Sequence, residues 1–275
     1  MLPRPIYFVV EVRLLFVVIP GSCSDGWGVM SSVTTETGTL VPEPPERETI
    51  TRVTRRMIPL LFLCYYAAFL DRVNVGFAAL HMNKALGLTK ATFGLGAGIF
   101  FVGYFLAEIP SNLILERVGG RVWIARILLT WGVISGLTAF VWNNWSFYTI
   151  RFLLGIAEAG YFPGVILFLT WWFPSAYRAR MIALFMTAIP VALITGSWAS
   201  AFLLGMGGIG GLAGWQWLFI IEALPAVILG VVVYFTLTDR PEQAQWLTEP
   251  QRTWLSGRLA AERIRRERIR HFALG

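Results

Sequence analysis

Charged residues are scarce in this sequence. Asp, Glu, Lys and Arg make up 14% of its 275 residues, whereas a soluble globular domain carries about 25%. Hydrophobic residues reach 56%, and they include 12 Trp and 20 Phe. These proportions exclude an ordinary water-soluble domain and indicate that lipid is the solvent of this protein.

Cysteine and histidine are scarcer still. Cys23 and Cys64 lie far apart, and His81 and His271 have no cluster of other metal ligands around them in the sequence. This spacing argues against a disulfide framework and against a zinc site. Since there is also no serine–histidine pairing and no phosphate-cradling loop, we expect neither an enzyme nor a bound cofactor or metal.

Long apolar runs are what the sequence has in abundance. Six of them follow residue 55, and each can cross a bilayer core with about 20 helical residues. We predict transmembrane helices at Met57–Leu80, Phe93–Leu115, Val122–Trp142, Phe147–Trp172, Met181–Leu204 and Trp215–Leu237. Membrane β-strands are excluded, because they would alternate apolar and polar positions over about 10 residues. The predicted fold class is an all-α membrane protein with six transmembrane helices, spanning residues 57–237.

The segments that flank the predicted helices differ in character. An apolar run within residues 1–29 is interrupted by Glu11 and Arg13, so it is a poor signal peptide. We interpret residues 1–29 as a non-native extension, with translation starting at Met30. Residues 30–56 are rich in Thr, Pro and Glu and are predicted to form a disordered cytosolic leader. Residues 238–275 are predicted to form a basic amphipathic segment, lying on anionic lipid or against the helix bundle; the alternative is a solvated basic helix.

The net charge of +7 is spread over short segments between the apolar runs and over the C-terminal tail. This distribution argues against nucleic-acid binding. Because cytosolic loops of membrane proteins carry the excess of Lys and Arg, it predicts an inner-membrane protein with both termini cytosolic. The residues assigned to the cytosolic side are Arg47, Arg52, Arg55, Arg56, Arg117, Arg121, Arg178, Arg180, Arg240, Arg252, Arg258, Arg263, Arg265, Arg266, Arg268 and Arg270, against Lys84 and Lys90 on the other side.

Ionisable residues inside the predicted helices are the strongest functional signal. They are Asp71, Arg72, Glu108, Arg151, Glu158 and Glu222. An unpaired charge near the bilayer centre costs roughly 2.5–3.5 kcal/mol, so we expect these residues to pair or to face a water-filled cavity. The alternative is that they only hold helices together. We favour that alternative for Glu108 and for Glu222, which we place near the outer end of its helix.

The spacing of these residues suggests what they do. Arg151 and Glu158 are seven residues apart and share one face of the fourth helix. Asp71 and Asn74 share a face of the first helix, with Arg72 about 100° round from Asp71. If these faces meet, two arginines and two carboxylates line one cavity. An arginine fork suits a carboxylate ligand, and a desolvated carboxylate can hold a proton near neutral pH. The pattern predicts a carrier that moves an organic anion together with protons across the lipid bilayer.

Four stretches of sequence form a recognisable set: FLDRVNVGF (69–77), EIPSNLILERVG (108–119), RFLLGIAEAGYFPG (151–164) and WQWLFIIEALP (215–225). Together they resemble the major facilitator superfamily, and within it the anion:cation symporters of the tartrate, sugar-acid and aromatic-acid type. The resemblance implies twelve helices in two six-helix halves, each built from two inverted three-helix repeats. This chain corresponds to the N-terminal half.

The resemblance also implies roles for individual residues. The proton-coupling carboxylates of the family correspond to Asp71 and Glu158, and its substrate-side arginines correspond to Arg72 and Arg151. We add Asn74 to the substrate-binding residues, since it shares a helix face with Asp71.

A gating motif lies between the second and third helices of the superfamily. It corresponds to Asn112, Glu116, Arg117, Gly119 and Arg121. Asn112 stands where glycine is usual, and Glu116 where aspartate is usual. The charge at position 116 is kept, so we still expect this loop to take part in gating.

Two rival functions remain open. One is a sugar or drug antiporter, although the fifth helix lacks the glycine–proline signature of the drug antiporters of this family. The other is a non-transporting half-carrier, either a relic or an interaction module, because residue 275 falls in what would be the loop joining the two halves. In the leading interpretation, the missing C-terminal half is a partner that completes the cavity. The identity of the anion and the number of protons are left open by the sequence.

Overall fold

The structure, a computed structural model, describes residues 46–274, and the regular elements in this range are all helical. Six segments of this range are long and apolar enough to cross a membrane. They coincide with the six helices predicted from the apolar runs. The prediction of an all-α membrane protein is confirmed.

The helices are numbered along the chain. They are α1 (Glu46–Leu86), α2 (Lys90–Val118), α3 (Gly120–Leu137), α4 (Asn144–Glu158), α5 (Tyr161–Trp172), α6 (Ser175–Met186), α7 (Ala188–Leu204), α8 (Gly214–Thr236) and α9 (Glu249–Leu274). The fourth membrane span consists of α4 and α5, and the fifth consists of α6 and α7. The first, second and sixth spans are α1, α2 and α8, and the third is α3 with a 3-10 turn at Thr138–Phe140.

The breaks in the fourth and fifth spans were not predicted. Each break lies at or next to the residue four positions before a proline; the prolines are Pro163 and Pro190. A proline ring clashes with the carbonyl group four residues earlier, and the proline has no N–H to donate to that carbonyl. In the fourth span Ala159 has an extended ψ of 135° and Gly160 a left-handed φ of 81°. In the fifth span α6 ends at Met186. The first break places the end of α4 inside the bundle.

The packing of the spans repeats itself within the bundle. Helix α2 packs along α4 just as α7 packs along α1, and α1 contacts α8 just as α4 contacts α3. If spans one, two and three are exchanged for spans four, five and six, the first contact of each pair becomes the second. Since a repeat of three spans ends on the opposite side from where it began, the second repeat is inverted. The structure thus shows the two inverted three-helix repeats that we expected.

Small residues allow α2 and α4 to come close together. A Cβ atom added at Gly155 would collide with the backbone of Phe100, and one added at Gly103 would collide with the backbone of Phe152. Glycine at these positions therefore lets the two backbones touch, as in other membrane helix pairs. Gly155 of the fourth span therefore serves helix packing. The contact brings Phe100 of α2 against the face of α4 that carries the predicted site.

The first helix begins earlier than predicted. Residues 46–56, which we assigned to the disordered leader, form the first turns of α1. Ile50, Val53 and Met57 follow one another at helical spacing and are buried, and Arg52 donates a hydrogen bond to Gln251 of α9 at 3.2 Å. The composition of the segment suggested disorder because these tertiary contacts cannot be read from it. Residues 30–45 and the predicted extension 1–29 lie outside the described residues.

The tail after the sixth span packs against the bundle. Leu255 of α9 is fully buried. Glu262 accepts hydrogen bonds from the backbone N–H of Ser175 at 3.1 Å and pairs with Arg178 at 3.3 Å. The structure therefore shows this segment in contact with the bundle.

Candidate substrate and proton site

The centre of the candidate site lies near the middle of the membrane spans. Glu158 is the midpoint of the fourth span, Asn144–Trp172, and Trp131 is one residue from the midpoint of the third span, Gly120–Phe140. Secondary transporters of several folds bind their substrates at this depth, often beside an interrupted helix. Glu158 is the last residue of α4, directly before the break.

Asp71 of α1 is buried and surrounded by neutral donors. Its carboxylate accepts hydrogen bonds from Asn74 Nδ2 at 2.9 Å, from Trp131 Nε1 and from Ser135 Oγ. Among the described residues no basic side chain forms an ion pair with it. Three donors compensate the buried carboxylate for the water that it has lost.

Trp131 and Ser135 were not identified from the sequence. They lie four residues apart on one face of α3, and this spacing is the signal that could have revealed them. A search limited to ionisable residues passed over both, because neither carries a charge.

Glu158 is paired with Arg72. The ion pair joins Glu158 Oε1 to Arg72 Nη2, with the Glu158 side chain 6% exposed and that of Arg72 37% exposed. Arg72 reaches Glu158 because it points about 100° away from Asp71 on α1. Asp71 faces α3 and Arg72 faces α4. Asp71 is thus held by α3 and Arg72 pairs with Glu158, while Asp71 also acts electrostatically on Glu158.

Arg151 is buried without an ion pair. Only 7% of the residue is exposed. Among residues 46–274 its Nε has no hydrogen-bond partner and its guanidinium forms no ion pair. Asp71 and Glu158 act on it electrostatically, but from beyond the distance of an ion pair. Its guanidinium carbon lies 4.7 Å from the centre of the Phe100 ring.

Aromatic rings of α2 lie between and beside the two arginines. The guanidinium of Arg72 lies 6.0 Å from the Phe100 ring centre and also 6.0 Å from that of Tyr104. Cations are attracted to the faces of such rings within about 6 Å. Phe100 therefore contacts both guanidinium groups. No pattern in the sequence separates Phe100 and Tyr104 from the other apolar positions of the second span.

This arrangement is suited to binding a carboxylate. A buried, unpaired guanidinium is stabilised by an anion that offers two oxygens to its fork. The paired Glu158 and Arg72 lie close by, and either could exchange its partner for a ligand or a proton. No group of three or more His, Cys, Asp or Glu that could hold a metal ion is found among the described residues.

The predicted gating loop is hydrogen-bonded to a residue that follows α8. Gly119, between α2 and α3, has a φ of 101°, which favours glycine. The next turn is capped by Asp239, whose carboxylate accepts a hydrogen bond from the backbone N–H of Arg121 at 2.7 Å. The Arg121 guanidinium lies 5.6 Å from the Tyr234 ring centre. Asp239 was missed by the sequence analysis, although a carboxylate just after the sixth span is suited to the N-terminus of α3.

The other predicted gating residues are not part of this contact. Asn112 donates a hydrogen bond to the carbonyl oxygen of Glu108 at 2.9 Å, within its own helix. Glu116 and Arg117 are exposed. The structure thus brings together Gly119 and Arg121 but leaves the side chains of the other three residues apart from Asp239.

Comparison with known proteins agrees with this geometry. The family profile of the Major Facilitator Superfamily matches residues 61–273. A "Putative tartrate transporter" of Agrobacterium vitis is 58% identical over 226 residues, which cover 82% of this chain and 50% of the relative. The "Putative metabolite transport protein NicT" of Pseudomonas putida is 50% identical over 212 residues, covering 77% of this chain and 48% of the relative.

A third relative has a different kind of name. The "Quinolone resistance transporter" of Acinetobacter baumannii is 44% identical over 226 residues, covering 82% of this chain and 52% of the relative. Among solved structures, an inward-facing bacterial homologue of the human lysosomal transporter Spinster matches with a TM-score of 0.62 and 21% identity, over 72% of this chain and 46% of that one. At that identity the likeness concerns the fold alone.

The matches cover most of this chain but only part of each relative. The chain spans about half the length of the curated relatives that it matches. The family profile nevertheless covers most of the chain, and the six membrane-spanning helices form the two inverted repeats expected of one half of such a carrier. The chain belongs to the Major Facilitator Superfamily of membrane transporters.

Proposed function

We propose that this chain supplies the N-terminal half of a carrier that takes up an organic anion together with protons. Its substrate is an organic carboxylate of the tartrate, sugar-acid or aromatic-acid type. The observation that carries the proposal is Arg151, a buried guanidinium that forms no ion pair within residues 46–274. A cation at mid-membrane is costly, so its retention is best explained by a ligand of opposite charge.

The neighbouring groups suggest how binding and protonation are linked. Arg72 is held by Glu158 in this structure. If Glu158 takes up a proton, its attraction to Arg72 weakens and the Arg72 guanidinium becomes free for a second carboxylate. Two guanidinium groups on one Phe100 ring then suit an anion with two carboxylates, such as tartrate, or with one carboxylate and several hydroxyls. In this account Glu158 couples a proton to anion binding, and Asp71 with Asn74 forms a second protonation region.

The arginine-rich end of the bundle is proposed to be cytosolic. It carries the start of α1, the α2–α3 and α5–α6 connections and the end of α8, which hold Arg52, Arg121, Arg178 and Arg240. This placement follows from the excess of basic residues on that side. The capping of α3 by Asp239 makes this contact the part of the predicted gating motif that would open and close.

Uptake into proteoliposomes tests the proposal. The chain is reconstituted with the C-terminal half of the Agrobacterium vitis relative, and accumulation of labelled tartrate is measured with and without an inward proton gradient. We expect gradient-driven uptake by the combined halves. Replacing Glu158 with Gln should abolish the response to the gradient, since Gln cannot carry the proton.

Two controls make the result specific. The chain without a C-terminal half should show no uptake; uptake by the chain by itself would contradict the proposed twelve-helix unit. Arg151→Lys keeps the charge but loses the planar fork, and it should weaken tartrate binding about tenfold, the loss of about 1.4 kcal/mol. If the combined halves bind tartrate but never transport it, the half-carrier interpretation is the better one.

A drug antiporter is the second candidate. It is favoured by the relative named for quinolone resistance. The two functions differ in the direction of proton movement. In inside-out vesicles loaded at acidic pH, an antiporter would accumulate a quinolone as protons leave, whereas the proposed symporter would not respond to the drug.

A further inference from the structure

Four arginines at the start of α1 border a cavity that the proposed function leaves unused. The cavity has a volume of about 740 Å³ and lies between α1 and the connection from α8 to α9. Its lining consists of Arg47, Glu48, Thr51, Arg52, Arg55, Arg56 and Trp246. Four of these seven residues are cations and one is an anion, so the cavity is strongly basic.

Most of this positive charge is unpaired in the part of the chain that the structure describes. Glu48 forms an ion pair with Arg52 at 3.4 Å. Within residues 46–274, Arg47, Arg55 and Arg56 form no ion pair. The single carboxylate of the cavity therefore compensates one arginine and leaves three for another anion.

Acidic side chains on the neighbouring elements are engaged elsewhere. Glu46, the first residue of α1, accepts a hydrogen bond from the Tyr177 hydroxyl of α6 at 3.0 Å. Glu249, the first residue of α9, forms an ion pair with Arg252 of the same helix. The excess of positive charge in the cavity thus persists when its surroundings are included.

A tryptophan is fixed against one of the unpaired arginines. The Arg56 guanidinium lies 5.2 Å from the centre of the Trp246 ring. On its other contact, Trp246 stacks on Trp172 at the end of α5, with the two ring centres 5.5 Å apart. These contacts hold the Arg56 guanidinium at the wall of the cavity.

An apolar groove continues from the cavity along α1 and α8. It has a volume of about 320 Å³, and Arg56 and Trp246 line both the groove and the cavity. The exposed fraction is 48% for Leu63 and 37% for Val232. The remaining residues of the groove are Met57, Pro59, Leu60, Thr236 and Leu237. An uncovered apolar surface therefore begins where the cluster of arginines ends.

The order of these features matches the parts of a phospholipid. Basic clusters beside the ends of membrane helices attract anionic headgroups, and the planar fork of arginine binds two phosphate oxygens at once. Tryptophan is enriched at the level of the headgroups, and the groove runs from there along the membrane spans. We infer that the cavity binds the phosphate of an anionic phospholipid and that the groove holds part of an acyl chain.

A soluble phosphate compound is the other source of the same chemistry. It would satisfy the arginines, but it has no apolar chain to cover the groove. The continuity of the cavity with the groove therefore favours the lipid. The site does not include Arg72 or Arg151 and does not depend on the proposed function.

Equilibrium binding of a short-chain lipid tests the inference. Tritiated dioctanoyl phosphatidylglycerol is bound to the detergent-purified chain in a scintillation proximity assay at constant ionic strength. We expect saturable binding that unlabelled phosphatidylglycerol displaces, whereas equal concentrations of dioctanoylglycerol, which lacks the phosphate, or of sodium phosphate do not. Displacement by dioctanoylglycerol would contradict a role of the arginines. Complete displacement by sodium phosphate would assign the cavity to a soluble phosphate and contradict the lipid.

The arginines are tested with a pair of double variants. Arg55→Gln with Arg56→Gln should weaken binding about tenfold, since at least one charge-assisted hydrogen bond to the phosphate is lost. Arg258→Gln with Arg265→Gln is the matched control, because both residues are exposed on α9 and neither lines the cavity. It should change the affinity by less than about twofold, since water and salt screen these charges. Equal losses in the two double variants would overturn the site.

The groove is tested without changing any charge. Val232→Trp fills part of the groove and should weaken phosphatidylglycerol binding about tenfold, as expected when roughly two methylene groups are no longer buried. Val231→Trp adds the same bulk one position along α8, outside the groove, and should leave the affinity unchanged. Both valines are partly exposed, so neither variant overfills the core. If Val232→Trp binds the lipid as tightly as Val231→Trp does, the groove does not hold the acyl chain.

Discussion

Two regions of this bundle hold a buried carboxylate near mid-membrane, and they do so in different ways. Asp71 is held by three neutral donors from α1 and α3. Glu158 is held by a cation, Arg72, and a second cation, Arg151, forms no ion pair among the residues that the structure describes. Neutral donors fix a carboxylate without adding charge, whereas an ion pair can be exchanged for another charge. In the proposed function, the neutral donors around Asp71 suit a stored proton and the arginines around Glu158 suit an incoming anion.

The largest expected effect comes from breaking the ion pair. Replacing Arg72 with Met leaves Glu158 buried without its cation, and it should destabilise the chain by about 3 kcal/mol, the lower end for a broken buried pair, because Arg72 is partly exposed. The double variant Arg72→Met with Glu158→Gln should recover most of this loss. Both are measured as thermal unfolding midpoints in nanodiscs. Equal midpoints for the single and double variants would show that the pair contributes little.

The second arginine should behave in the opposite way. Replacing Arg151 with Met removes a buried cation that forms no ion pair in the described part of the chain, and we expect the chain to become more stable by about 2 kcal/mol. This is below the roughly 2.5–3.5 kcal/mol cost of an arginine at the bilayer centre, because the contact with Phe100 is also lost. The same unfolding measurement checks it. A destabilised Arg151→Met variant would mean that Arg151 has a structural partner after all.

A smaller effect is expected in the Asp71 region. Trp131→Phe removes one donor to a buried carboxylate and should cost about 1.5 kcal/mol, as for hydrogen bonds to charged groups. Trp123→Phe is the matched control, because Trp123 Nε1 donates to the neutral hydroxyl of Ser111 at 3.0 Å. Its loss should cost about 1 kcal/mol or less. If the two variants lose the same stability, the Trp131 bond has no charged character and Asp71 is neutral in this state.

Much of the fold could be predicted from the sequence. The six spans follow from apolar length alone, and their positions agree with the structure. The breaks at Ala159 and Met186 could not be placed that way, since proline either kinks or breaks a membrane helix depending on its neighbours. The early start of α1 depends on contacts with α9, and such contacts are not visible in the composition of a segment.

The candidate site was predicted in part. Helical spacing correctly put Arg151 and Glu158 on one helix, but it could not show which arginine Glu158 pairs with. That choice depends on how α1 and α4 are rotated against each other, which spacing within one helix does not fix. Trp131, Ser135 and Asp239 were missed because each acts through a hydrogen bond to a residue far away in the sequence.

The central claim is that Arg151 is kept unpaired for an anion. It is tested most directly by the thermal unfolding midpoint of the chain in nanodiscs, measured with and without tartrate, for the unmodified chain and for Arg151→Met. We predict that tartrate raises the midpoint of the unmodified chain and leaves that of Arg151→Met unchanged, although the variant is the more stable protein without ligand. An equal rise in both proteins would contradict the account, because the anion would then bind without Arg151.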